Sequence, residues 1–363
     1  MSTQKKTNGH IERDAKTGLY RLVLVGGSTL KGKEVADVLN ERKFPSSDVK
    51  LLDDDESLGQ LEIVGDEMTF IQSVRGDQFE HANFAFFAGD MPTTRKSWEL
   101  ARDAGCSILD LSFALEEEPS ARIRSPWVEK QLGQDLQLEL QPGPVVVIAH
   151  SAAVVLALLV LRAQLAGQLR SVAATVFEPV SERGRKGIDE LQEQSVNLLS
   201  FQELPQEVFD ARVGFNLVRR YGEKSVPTVE TVERRIVKHY QQIVGVNGVN
   251  KDTLVPAVAL LQAPVFHGHS FMIFLETVET VALGDLTQAL RGEHLEIARA
   301  TEEPPSTVAA AGQDEILVSV TRDASNPNGF WIWAAADNLR VAARNAVECA
   351  ESMAASLPKG AVQ

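Results

Sequence analysis

Along the first 150 positions, apolar residues fall in short unbroken runs separated by polar stretches. Tyr20-Arg21-Leu22-Val23-Leu24-Val25, Val49–Leu52, Phe84–Phe87, Ile108–Leu111 and Val145–Ile148 read as strands. None alternates strictly between apolar and polar, so both faces of each are expected to be covered. Helical periodicity lies between them, from about Lys31 to Arg42 and from Thr93 to Ala104. Strands alternating with helices predict an α/β unit with a parallel sheet.

After residue 150 the pattern changes. Ser171–Phe177, Thr253–Phe266, Phe271–Glu276, Ile316–Thr321 and Phe330–Ala335 are longer strand candidates with clearer alternation, and helices are expected at Lys186–Leu199 and Val229–Val244. This predicts an α+β unit, its sheet largely antiparallel with one face free for a partner. Phe330-Trp331-Ile332-Trp333 places two tryptophans on one side of a strand and Phe330 and Ile332 on the other. Either the chain itself buries both sides, or a second copy covers one. A last helix runs from Asn338 to about Ser356 and is expected to return to the first domain. The expected linkers are Glu116–Gly143 and Glu302–Gln313, and residues 1–18 read as a disordered polar tail.

Val145 to Leu161 is 17 residues long with only His150 and Ser151 polar. A spanning helix needs about 20 apolar residues. The run also breaks at His150-Ser151, so it reads as a buried strand followed by a buried helix, and no membrane segment is expected.

Composition narrows the classes. The chain has 363 residues and a net charge of −14, which argues against nucleic acid and anionic membrane surfaces as partners. Its two cysteines, Cys106 and Cys349, are far apart in apolar contexts. That pattern predicts no disulfide framework and no metal site, and it fits a reducing, cytoplasmic setting.

Gly26-Gly27-Ser28-Thr29-Leu30-Lys31-Gly32 follows the first strand and opens the first helix, where backbone N–H groups can hold a pyrophosphate. Gly26 permits the tight turn and Gly32 close packing, but Thr29 stands where the middle glycine would let the phosphate approach. The turn is therefore either a nucleotide site, with Gly26, Ser28, Thr29, Leu30 and Gly32 at the cofactor, or an ordinary strand-to-helix turn. Asp53-Asp54-Asp55-Glu56 ends the second strand. An acid such as Asp53 there accepts from the ribose 2′-hydroxyl of NAD and repels the 2′-phosphate of NADP, so NAD is preferred if either is bound. The other reading is a solvated acidic loop.

Ordered motifs run the length of the chain: the Gly26–Gly32 turn, Ser57-Leu58-Gly59, Gly105-Cys106-Ser107-Ile108-Leu109-Asp110-Leu111-Ser112, Arg185-Lys186-Gly187-Ile188-Asp189-Glu190-Leu191, Phe215-Asn216, Pro264-Val265-Phe266-His267-Gly268-His269-Ser270 and Ala336-Asp337-Asn338-Leu339-Arg340. On these it resembles the aspartate-semialdehyde dehydrogenase family. The resemblance implies a Rossmann-type NAD(P)-binding domain (residues 19–150 plus 337–363), with an α+β dimerisation domain (151–336) inserted before the C-terminal helix. It also implies a homodimer, and it adds Ser57 and Asn338 to the cofactor residues.

The family reduces an acyl phosphate through a thioester on cysteine, and here four parts of that machinery are missing. The cysteine turn reads Ala149-His150-Ser151-Ala152, leaving Ser151 as the only candidate nucleophile, at a position suited to a helix N-cap. Gln262 replaces the carboxylate-binding arginine, Glu116 falls where the phosphate-binding arginine belongs, and Asp54-Asp55-Glu56-Ser57 lacks the arginine for the NADP phosphate. His269 is retained at the general-base position, with His267 two residues away, and Arg234 and Arg235 lie in the helix that carries a substrate-side lysine in the family. The wording Gln-Ala-Pro-Val-Phe looks like the Usg-type paralogues, which also lack the cysteine. The leading expectation is a diverged or inactive acyl-phosphate reductase with an unknown small-molecule substrate. The alternatives are an NAD-dependent oxidoreductase using His269 and a scaffold dimer that binds no nucleotide.

Overall fold

The computed structural model describes residues 19–53, 59, 61–64, 67–134, 144–245, 253–299 and 303–356. The expected polar tail, Asp54–Ser57 and part of each expected linker lie outside these. The fold forms two units. One takes the described residues of Met1–Pro126, Asp135–Ile148 and Ala343–Gln363, the other those of Trp127–Gln134 and Ala149–Ala342.

The first unit carries a seven-stranded sheet. Its elements are β1 Tyr20–Val25, α1 Leu30–Glu41, β2 Ser46–Asp53, the short pair β3 Leu61–Val64 and β4 Glu67–Phe70, then β5 Gln72–Ser73, β6 Phe84–Phe87, α2 Met91–Asp103, β7 Ser107–Asp110, β8 Ala121–Arg124, α3 Pro126–Gln131 and β9 Val145–Ile148. The sheet order is β5-β2-β1-β6-β7-β9-β8 and every pairing is parallel. The chain order reverses direction on either side of β1, the topology that opens a crevice beyond the strand ends. Strands β6, β7 and β9 are buried at every position, as their unbroken apolar runs demand.

The second unit is built on six strands. Its elements are α4 Ser151–Gln164, β10 Leu169–Glu178, α5 Gly184–Leu199, α6 Val229–Val244, β11 Ala257–Gln262, β12 His269–Thr277, α7 Leu283–Leu290, β13 Leu295–Ile297, α8 Thr307–Ala310, β14 Ile316–Arg322 and β15 Gly329–Ala336; α9 Asn338–Ser356 then leads back into the first unit. The order is β11-β10-β12-β15-β14-β13. Its three inner pairings are antiparallel and its two outer ones parallel. Helix α4 is apolar on all sides and buried along nearly all its length, as such a helix must be.

Alternation sorts this sheet's two faces. Val172, Ala174, Val176, Phe271, Ile273, Leu275, Phe330, Ile332 and Ala334 face the core. Met272 and Trp331, at 37% and 38% exposure, lie on the opposite face with Phe177, Phe274 and Trp333 half-buried beside them. Among the described residues, therefore, the Trp331 and Trp333 side of this strand is the less covered one.

Three sequence expectations need correction. Glu116–Gly143 is not only a linker, since β8 extends the parallel sheet from it and α3 follows. The Thr253–Phe266 strand shrinks to Ala257–Gln262, because Pro264 has no N–H and ends the ladder. His267 lies in the bend before β12 rather than on the strand with His269.

Candidate functional site

The ends of three neighbouring strands in the second unit bring chemistry together. Gln262 pairs with Glu178 across β11 and β10, and Phe177 pairs with Ser270 across β10 and β12. Continuing that register by one residue sets Glu178 opposite His269. All three side chains point into the core, exposed by only 0%, 1% and 1% respectively. Directly opposed residues have Cβ atoms about 5 Å apart.

The start of α4 closes on this row. Ser151 Oγ lies 3.5 Å from His269 Nδ1, and the His150 and His269 ring centroids are 5.7 Å apart. The expected role of Ser151 as N-cap falls to its neighbour: His150 Nδ1 accepts from the Ala152 N–H at 3.2 Å. A short turn puts the imidazole, rather than the hydroxyl, over the helix start. The Ser151 hydroxyl is thereby left to face His269. His150 is held in turn, its N–H donating to His239 Nδ1 on α6 at 3.0 Å.

Helix α6 settles the two arginines differently. Arg235 shares the buried face with Ile236 and His239, one turn ahead of His239. Arg234 points to solvent and donates from Nε to the Glu230 carbonyl at 3.2 Å, so only Arg235 belongs to the inner side.

Gln262 is fully engaged. Its Nε2 donates to the carbonyls of Glu178 (2.8 Å) and Ala263 (3.0 Å), and its Oε1 accepts from the Tyr221 hydroxyl at 2.8 Å. Burial, reinforced by the Glu178 charge, pushes the Tyr221 phenol up, so it stays a proton donor. The Arg183 guanidinium lies 4.8 Å from the Tyr221 ring centroid. The Gln262 amide is thus bonded to a phenol and to the backbone of a buried acid, and the phenol in turn packs against a guanidinium.

Asn338 is buried at the start of α9. Its Oδ1 accepts from the Gly268 N–H (3.0 Å) and the Ser181 hydroxyl (3.2 Å), and its Nδ2 donates to Glu182 at 2.8 Å. It fastens the turn leading into His269, in which Gly268 has φ +83°, a conformation L side chains rarely adopt.

In the first unit the glycine turn keeps its backbone shape. Gly26 has φ +84°, and a Cβ at Gly32 would come within 2.1 Å of the Gly26 carbonyl oxygen. Thr29 caps α1, its Oγ1 accepting from the Gly32 N–H at 3.0 Å. Leu30 is the first helical residue. Asp53 Oδ2 accepts from both the N–H (2.9 Å) and the hydroxyl (2.5 Å) of Ser28. The turn's conformation fits a dinucleotide at Gly26 and Gly32 and departs from it at Thr29, and Asp53 already binds the loop. Ser57 lies outside the described residues. Among the described residues, no group of three His, Cys, Asp or Glu is placed to hold a metal.

Comparison with known proteins now bears on this geometry. The semialdehyde dehydrogenase dimerisation domain profile matches residues 158–341. A USG-1 protein homolog of Pseudomonas aeruginosa is 31% identical over 90% of this chain and 95% of its own. The chain belongs to the aspartate-semialdehyde dehydrogenase family. An aspartate-semialdehyde dehydrogenase of Rickettsia bellii is 25% identical over 93% of this chain and 98% of its own. A solved structure of a probable aspartate-semialdehyde dehydrogenase from Pseudomonas aeruginosa superposes with a TM-score of 0.80 at 29% identity, covering 92% of this chain and 98% of that one. Family membership supplies an NAD(P)-binding fold in the first unit and a dimerisation domain in the second.

Sequence reasoning named His269, Ser151 and Arg235, and His150 only as part of the turn; it did not name Glu178, Tyr221, Arg183 or His239. The acid before Pro179 in Phe177-Glu178-Pro179 was a readable sign for Glu178, since a charge on the inner face of a strand asks for a partner. His239 could have been found four residues after Arg235 on the same helical stripe.

Proposed function

We propose that this chain is a diverged family member that does not carry out phosphorylating reduction of acyl phosphates. One observation supports this above the others: the stretch from Ala149 to Ala342, which holds His269 and its surroundings, contains no cysteine. A serine hydroxyl is essentially un-ionised at pH 7, and its oxyester is a poorer hydride acceptor than a thioester. Neither remaining thiol substitutes. Cys106 and Cys349 are buried, and burial pushes the Cys106 thiol up to about 12. Gln262, already bonded to Tyr221, offers no cation for a substrate carboxylate.

The protein acts as a homodimer through the open face carrying Met272, Trp331 and Trp333, because an apolar sheet face left uncovered by its own chain needs a partner. Where a dinucleotide is bound, Asp53 favours NAD over NADP, and the bound group would supply hydride chemistry while Gly26, Gly32 and the α1 N-terminus hold its phosphates. A reducing cytoplasm suits the two free thiols.

The test is the phosphorylating oxidation of a semialdehyde with NAD and with NADP. The expected result is no turnover above background with either. Turnover abolished by Ser151→Ala would overturn the proposal.

A further inference from the structure

We propose that Ser151, His269 and Glu178 form a nucleophile, base and positioning acid that transfer small acyl groups from activated esters to water. The activity differs from reduction: it needs no thiol, no dinucleotide and no acyl phosphate. The structural starting point is that His150, not Ser151, caps α4, so the serine hydroxyl is not tied to the helix it begins. That hydroxyl faces His269 Nδ1 at 3.5 Å, a separation that suits a nucleophile–base pair before substrate tightens it.

The third member comes from the register. Glu178 is opposite His269 on the same buried face, one step beyond the Phe177–Ser270 and Val176–Phe271 pairs. A carboxylate there favours the imidazolium that forms when the serine proton is taken. The other ionisable groups packed around this row are His150, His239, Arg235, Tyr221 and Arg183. Ser151 is also the first residue of a 14-residue helix. A tetrahedral oxyanion formed on its acyl group therefore develops beside the positive end of α4. The His150 ring and Phe271, whose ring centroid is 5.9 Å from that of His269, flank the imidazole.

In the first half of the reaction, Ser151 Oγ bonds to the acyl carbon as its proton moves to His269 Nδ1. The ester C–O bond then breaks, and the departing alkoxide takes that proton. In the second half, water attacks the acyl-serine and passes a proton to His269, and the carboxylic acid leaves as Ser151 recovers its hydrogen. No electrons are exchanged with a cofactor. The same oxyester that receives hydride poorly is open to water, so losing the thiol converts an acyl-enzyme meant for reduction into one meant for hydrolysis.

The experiment treats the full-length protein with a fluorophosphonate, followed by peptide mapping, and measures p-nitrophenyl acetate hydrolysis in parallel. The expected outcome is one adduct per chain, on Ser151, with hydrolysis falling on the order of 10³-fold or to background in Ser151→Ala and in His269→Ala. Glu178→Gln should lower kcat/KM and move its acid limb to lower pH, because removing the carboxylate makes the His269 imidazolium easier to deprotonate; a merely structural role would leave that limb in place. The adduct is located on the wild-type protein, so the outcome does not depend on any variant folding. No adduct, an adduct on another residue, or hydrolysis unchanged in a folded Ser151→Ala would overturn the proposal.

Discussion

Asn338→Ala is the perturbation with the most to say about how the second unit holds its histidine. The substitution removes an acceptor shared by the Gly268 N–H and the Ser181 hydroxyl, and a donor to Glu182. Asn338 is 0% exposed, so water does not readily take its place. A buried N–H left without an acceptor costs about 1–3 kcal/mol. The hydrogen bond to the Glu182 carboxylate adds about 1.5 kcal/mol more. The expected loss is therefore about 3 kcal/mol, measured by urea unfolding. Fluorescence suits the measurement, since three of the four tryptophans, Trp127, Trp331 and Trp333, lie in the second unit. Asn338→Asp separates the two roles. It keeps the acceptor for Gly268 but turns a carboxylate toward Glu182, so its penalty should be small at pH 4 and grow as the pH rises and both acids ionise. A loss below about 0.5 kcal/mol in Asn338→Ala, typical of an exposed site, would refute the reasoning. A pH-independent Asn338→Asp would refute the assignment of the Glu182 contact.

Gly32→Ala should disrupt the first unit, because its methyl would meet the Gly26 carbonyl at 2.1 Å with backbone on both sides of the contact; a melting temperature equal to wild type would contradict that packing. Trp331→Glu places a charge at the centre of the open sheet face, and light scattering should show the dimer dissociating to monomers with the fold retained by circular dichroism. Asp323 accepts from Ser325, Asn326 and the Trp331 indole, and these hydrogen bonds hold its carboxyl at about 2, below the usual 3.8. Its folded value is depressed, so the stability it contributes is present above the usual value and is lost as pH falls from about 4 to 2. A carboxyl-carbon NMR titration should place its midpoint near 2, and a midpoint near 4 would sink the prediction.

The sequence by itself showed the kind of most of the larger elements, though it passed over β8, α3, α7 and β13. Unbroken apolar runs such as Phe84–Phe87 can be satisfied only by a strand covered on both faces, and alternation in Phe271–Glu276 only by a sheet with two unlike faces. Periodicity is local, so Val229–Val244 and the start of the last helix at Asn338 could be read directly. It also showed that no cysteine lies between Ala149 and Ala342, since identity needs no coordinates. The partners of the remaining groups depended on the tertiary structure. Glu178 and His269 are 91 positions apart and become neighbours only through strand register, which a one-residue slip would undo. Whether Ser151 or His150 caps α4 was decided by the backbone of that turn, not by residue preference, which favours serine. Arg234 and Arg235 are chemically identical, and helix rotation alone sent one to solvent and the other inward. Local pattern decides what each segment becomes. Which chemistry meets is decided by long-range packing, because reactive groups interact over a few ångströms and the chain sets those distances only once it is folded.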